Sequence, residues 1–179
     1  MKKAYVFMAN GFEDIEAIGT IDILRRAGVD VKTVSITGDY AVESDMKIEE
    51  ADFNDADALV LPGGLPGATN LNDHEGVRNA LVAQAEKGGI VAAICAAPLV
   101  LGGLGLVNGK RATCYPGFEK YLDGAEYTHD LCTVDGNITT GEGPGATFDF
   151  AYALLKQLVG NDTVAQLQEG MMYNHLLGK

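Results

Sequence analysis

Cys95 stands between a wholly apolar run, Ile90-Val91-Ala92-Ala93-Ile94, and the small-residue segment Ala96-Ala97-Pro98-Leu99. Pro98 suits the first turn of a helix, where a missing N–H costs nothing. A cysteine on such a strand-to-helix turn has unpaired helix N–H groups beside its sulfur, which are expected to lower the thiol pKa and favour the thiolate. The placement parallels the nucleophile elbow of serine hydrolases, although the flanking residues are not G-x-S-x-G. Free cysteines also pack as small inert hydrophobes, and pattern alone leaves the two readings even. Glu16 is the second candidate, in Asn10-Gly11-Phe12-Glu13-Asp14-Ile15-Glu16. Helix dipoles favour acids in a first turn, which accounts for Glu13 and Asp14. Glu16 lies among Ile15, Ala17 and Ile18, where it is expected to turn inward. A desolvated carboxyl there has a raised pKa and can donate a hydrogen bond to a thiolate. The third candidate is Gly63-Gly64, where a missing Cβ lets backbone N–H groups approach a ligand.

Other chemistries find less support. No Gly-Lys-Ser/Thr follows Gly63-Gly64, so it is not a phosphate loop. Gly141-Glu142-Gly143-Pro144-Gly145 follows no long apolar strand, and Glu142 would repel a phosphate. The cysteines, Cys95, Cys114 and Cys132, are odd in number and form no CxxC pair, which fits a reducing compartment. His74, His129 and His175 are scattered, and no Cys/His pair has zinc-ligand spacing, so no metal and no other cofactor is expected.

The elements that must position these residues alternate. Strands are expected over Lys3–Ala9, Val29–Ile36, Ala58–Leu61 and Ile90–Ile94. Helices are expected over Ile15–Ala27, Val77–Glu86, Thr147–Leu158 and Thr163–Tyr173. The first helix should bury Ile15, Ile18, Ile21 and Ile23 or Leu24 on one face, and Arg25-Arg26 suits its C-terminal end. Val42–Asn54 is ambiguous, with an edge hairpin as one reading. Shorter strands are expected at Arg111–Cys114, Leu131–Val134 and Ile138–Thr140, with a turn at Asp135-Gly136. Runs apolar on both faces belong in a parallel sheet covered by helices. The expected fold is therefore α/β: one doubly wound domain over residues 1–179. Its ligands should sit outside the carboxyl ends of the strands, near Ala9-Asn10-Gly11, Pro62-Gly63-Gly64 and Cys95.

Composition agrees with a globular domain, at 47% hydrophobic and 21% charged residues. No run approaches the ~20 apolar residues that cross a bilayer. The segment after Met1-Lys2-Lys3 reads as a first strand and not as a signal peptide. These features lead to the expectation of a cytoplasmic protein. A formal net charge of -12 repels nucleic acid and anionic lipid, so neither is an expected partner, and it also favours solubility.

Four motifs together carry a resemblance: Ala9-Asn10-Gly11-Phe12-Glu13-Asp14-Ile15-Glu16, Leu61-Pro62-Gly63-Gly64, Ala92-Ala93-Ile94-Cys95-Ala96-Ala97-Pro98 and Gly143-Pro144-Gly145. In order and spacing they resemble the ThiJ/PfpI family, and most closely the branch containing the human parkinsonism-linked protein deglycase. The resemblance implies a flavodoxin-like homodimer with Cys95 as nucleophile and Glu16 as its protonated hydrogen-bond partner. The N–H groups of Gly64 and Ala96 would form an oxyanion-type pocket, with Gly63 and Tyr115 as secondary positions. Implied activities are a cofactor-independent glyoxalase or deglycase acting on methylglyoxal-like carbonyl compounds, cysteine-based sensing of oxidative stress, or, less favoured, an intracellular peptidase or amidase. Two family histidines are missing. The one that follows the cysteine in protease-like branches is Ala96 here, and the one in the segment Ala112–Pro116 is replaced by Tyr115. Tyr115 can donate a hydrogen bond, but an unperturbed pKa of ~10 makes it a poor base.

Overall fold

A computed structural model describes residues 1–37 and 43–178. Its strands are β1 (Lys3–Met8), β2 (Asp30–Ser35), β3 (Met46–Lys47), β4 (Ala58–Leu61), β5 (Ile90–Ile94), β6 (Arg111–Ala112), β7 (Glu126–Tyr127), β8 (Cys132–Asp135) and β9 (Ile138–Gly141). Its helices are α1 (Thr20–Arg26), α2 (Gly67–Asp73), α3 (Glu75–Glu86), α4 (Pro98–Gly103), α5 (Thr147–Val159), α6 (Asn161–Gly170) and α7 (Tyr173–Leu176). The main sheet runs β3-β2-β1-β4-β5-β9-β8, parallel throughout except for the β8–β9 pair. A small parallel pair, β6–β7, stands apart from it.

The central strands are apolar on both faces because both faces are covered. All four residues of β4, and Val91 to Ile94 of β5, are buried. Helices α1, α5 and α6 pack together, as do α2, α3 and α4, so the sheet is sandwiched as the alternating pattern requires. This is the mostly parallel, flavodoxin-like α/β architecture expected from the sequence.

Three local expectations are corrected. The segment before α1 is one π-helical turn, Ile15–Gly19. Its extra residue breaks the 3.6-residue register, so the buried face of Ile21, Ile23 and Leu24 does not extend back to Ile15 and Ile18. Those two are 56% and 43% exposed, and Glu16 and Ala17 are buried in their place. Next, β3 pairs parallel to β2, so no hairpin forms among the described residues of Val42–Asn54; Val42 itself lies outside them. Finally, the last helix is two, α6 and α7, divided at Met172, whose φ of 57° is left-handed.

Candidate functional site

The chain leaves β1 for β2 on one side and returns to β4 on the other, so the loops after β1 and β4 diverge at a topological switch point. Cys95 follows β5 beside it. Its φ is 63°, a left-handed conformation that costs a non-glycine residue about 1–2 kcal/mol. Flanking bonds hold it there: Cys95 N donates to Gly141 O, and Tyr115 N donates to Cys95 O, both at 2.9 Å. This is the elbow that the strand–Cys–Ala–Ala–Pro pattern suggested, and it leaves Cys95 8% exposed at the carboxyl edge of the sheet.

The π turn supplies the other half of the site. By rotating Ile15 and Ile18 outward it points Glu16 inward, where the residue is only 1% exposed. Glu16 Oε2 accepts a 2.7 Å bond from Gly63 N, and Glu16 N donates to Glu13 Oε2 at 2.8 Å. Oε1 is buried and meets no donor with hydrogen-bond geometry. The Cys95 thiol is the titrating side chain that faces this carboxyl.

Gly63 and Gly64 are required by space. A Cβ on Gly63 would lie 2.7 Å from Cys95 Cβ and 2.8 Å from both Glu16 Oε2 and Ile94 O. Gly64 has φ +83°, and a Cβ there would sit 2.5 Å from Gly11 O. Bare Gly63 therefore lets the β4 loop press against both functional side chains, and bare Gly64 lets it press against the Gly11–Glu13 backbone. The amides of Gly64 and Ala96 act on the Cys95 sulfur in the direction that favours its thiolate.

The electrostatics correct one expectation. Burial, followed by the charge and hydrogen bonding of Glu16, pushes the Cys95 thiol up to about 12. The Gly64 and Ala96 amides pull the other way and lose. Burial likewise raises the Glu16 carboxyl to about 7, against the Gly63 hydrogen bond. Helix N–H donors alone would have given a low-pKa thiol; burial of the sulfur, reinforced by the carboxyl facing it, reverses the sign. The two groups titrate as a pair, losing one proton near 7 and the second only in strong alkali. Burial raises Cys114 and Cys132 to about 12 as well, with no amide donors opposing it.

The structure thus gathers Cys95, Glu16, Gly63, Gly64 and Ala96 into one cluster. Tyr115 joins it through its backbone, while its ring is 46% exposed and packs near Gly143. The histidines do not join: His74 caps α3 by accepting from Val77 N, His129 lies against the Tyr127 ring, and His175 is in α7. Glu142, which the sequence marks only as a group that would repel phosphate, follows Gly141, whose carbonyl accepts from Cys95 N. No cluster of His, Cys, Asp or Glu able to hold a metal occurs among the described residues, and no described helix is long and apolar enough to cross a membrane.

Comparison with known proteins agrees with this geometry. Residues 2–157 match the DJ-1/PfpI family. Protein dj-1beta of Drosophila melanogaster is 35% identical over 96% of this chain and 97% of its own. Its crystal structure superposes with a TM-score of 0.91 at 34% identity, covering 96% and 97% of the two chains. The glutathione-independent glyoxalase DJR-1.2 of Caenorhabditis elegans is 30% identical over 87% of each chain. The chain belongs to the DJ-1/PfpI family, the family its motifs resemble under the name ThiJ/PfpI.

Proposed function

We propose that this protein is a thiol-dependent, cofactor-independent glyoxalase or deglycase acting on methylglyoxal-like dicarbonyls or their adducts. The observation that carries the reading is the buried Glu16 carboxyl facing the thiol of a strained, elbow-mounted Cys95. With no histidine in the cluster, Glu16 is the base. It takes the Cys95 proton as sulfur bonds to the aldehyde carbon of methylglyoxal. The Gly64 and Ala96 amides hold the developing oxyanion. Glu16 returns that proton to the oxyanion and, ionised again, takes the proton from the former aldehyde carbon; the hydroxyl proton passes to the neighbouring oxygen and Glu16 delivers its proton to the neighbouring carbon, leaving a lactoyl thioester. Water cleaves it to lactate and restores the thiol. The oxidation of one carbon balances the reduction of the other, so no external redox partner is needed. The relative named as a glutathione-independent glyoxalase supports this chemistry. The test is lactate formation by purified protein without glutathione. It should be abolished in Cys95→Ser; equal turnover by wild type and variant refutes the proposal.

A second reading, a cysteine sensor of oxidative stress with little turnover, draws on the absence of both family histidines and on Tyr115 in place of one of them. It requires Cys95 to oxidise before Cys114 and Cys132. We also place the protein in the cytoplasm as a homodimer, with exposed Ile15 and Ile18 beside the site as apolar surface for a second copy. Its net charge of -12 argues against nucleic acid as a partner.

A further inference from the structure

A cavity of about 310 Å³, the size of a small-ligand pocket, opens beside the two backbone segments that bracket Cys95, without Cys95 itself in its lining. Its walls are tied to Cys95 from both sides. Tyr115 bonds the Cys95 carbonyl through its backbone, and Glu142-Gly143 follows Gly141, whose carbonyl accepts from Cys95 N. Most of the lining is apolar: Tyr115, Pro116, Leu131, Pro144 and Ala146. The one charged group is Glu142. Its side chain makes no ion pair among the described residues. Nor is there an obvious cation to recruit, because Lys120 lies over the Tyr121 ring and Arg111 pairs with Asp130. The negative field of Glu142 reaches inward, where with Glu119 it helps hold the buried Cys114 thiol protonated. The chain as a whole, with 25 acidic against 13 basic residues, is acidic in the same sense.

We propose that Glu142 is a specificity-determining residue, selecting carbonyl substrates that carry a cationic group on a short apolar stem over those bearing a carboxylate. The stem lies against Tyr115, Leu131 and Pro144, the ammonium or guanidinium meets Glu142, and the carbonyl reaches Cys95. Neutral dicarbonyls enter without this selection; 2-oxo carboxylates are repelled. The inference rests on Cys95 as the reacting group, as in the function proposed above.

The test separates the two. Cys95 modification is timed with three methanethiosulfonates: neutral methyl, cationic trimethylammonioethyl and anionic sulfonatoethyl, with peptide mass assigning the site. No turnover is needed for this readout. Wild type should prefer the cation to the anion, and Glu142→Gln should shrink that ratio by about three- to tenfold, as for one partly screened carboxylate a few ångströms away. Glu142→Lys should shrink it further, and molar salt should erase most of the difference between wild type and variants. A ratio unchanged in both variants overturns the proposal, as does one that falls equally in Glu119→Gln, since the field would then belong to the surface at large. If the charge order holds while methylglyoxal yields no lactate, the glyoxalase reading fails and this selection stands. If lactate forms but the ratio ignores Glu142, this selection alone fails.

Discussion

Replacing Glu16 by Gln should change how Cys95 reactivity depends on pH, and the structure sets both direction and size. Gln keeps an oxygen for the 2.7 Å bond from Gly63 N and removes the charge. A unit charge about 4–5 Å away at an effective dielectric near 20 is worth roughly 3–4 kcal/mol, or about two to three pKa units. Removing it should bring the thiol from about 12 to about 9 or 10. In wild type the pair loses its first proton near 7, after which its single remaining proton is shared. The thiolate fraction therefore rises to neutral pH and then stays flat until strong alkali. In Glu16→Gln no such plateau exists, and thiolate climbs tenfold per pH unit up to the new pKa. Alkylation by iodoacetamide, with Cys114 and Cys132 replaced by Ser, reads this directly. The two proteins should react alike at pH 6, and the variant should be at least about tenfold faster by pH 9. Superimposable profiles, or a wild-type profile with one inflection near ~8.5, would refute the coupling.

Stability should carry the same signature. Glu16 is raised from an ordinary 4.5 to about 7, so the folded state binds its proton more tightly than the unfolded chain does. Stability is full below about 4.5 and falls by up to about 3 kcal/mol as pH rises through 7; thermal melts should show this loss in wild type and not in Glu16→Gln. Gly63→Ala would drive a methyl into Cys95 Cβ, Glu16 Oε2 and the Ile94 carbonyl, costing about 1–3 kcal/mol and suppressing Cys95 alkylation; an unchanged denaturation midpoint and rate would contradict the packing. Peroxide titration followed by peptide mass should oxidise Cys95 first, because of the three thiols it is the one whose thiolate backbone amides favour; earlier oxidation of Cys114 or Cys132 removes the sensor reading. Sedimentation at micromolar concentration should give a dimer, and a monomer would leave exposed Ile15 and Ile18 without the partner assigned to them.

The sequence made some of this legible and hid the rest for identifiable reasons. Short apolar runs ending at Gly or Cys located β4 and β5, because strands buried on both faces admit almost no polar residue. The same runs place Pro62-Gly63-Gly64 and Cys95 at one sheet edge. The π turn at Ile15–Gly19 was invisible, since one inserted residue leaves composition unchanged while rotating which side chains point inward. The apolar neighbours of Glu16 suggest that it turns inward, yet two of them, Ile15 and Ile18, face out. The raised thiol pKa is not legible because local sequence shows the helix amides and neither the burial of the sulfur nor the carboxyl, 79 positions away, that faces it. Glu142 could have been marked as a site residue from its glycine-rich setting, but its place beside Cys95 depends on β5–β9 pairing.

The most direct measurement of the central claim is the covalent state of Cys95 during turnover. Protein mixed with excess methylglyoxal, quenched in acid within the first turnover and mapped by peptide mass, should carry one three-carbon adduct on the Cys95 peptide. That adduct should decay as lactate appears, be absent in Cys95→Ser, and form more slowly in Glu16→Ala, where no side chain can take the thiol proton. Adducts confined to lysine and arginine side chains, with lactate appearing at an undiminished rate and no label on Cys95, would contradict it.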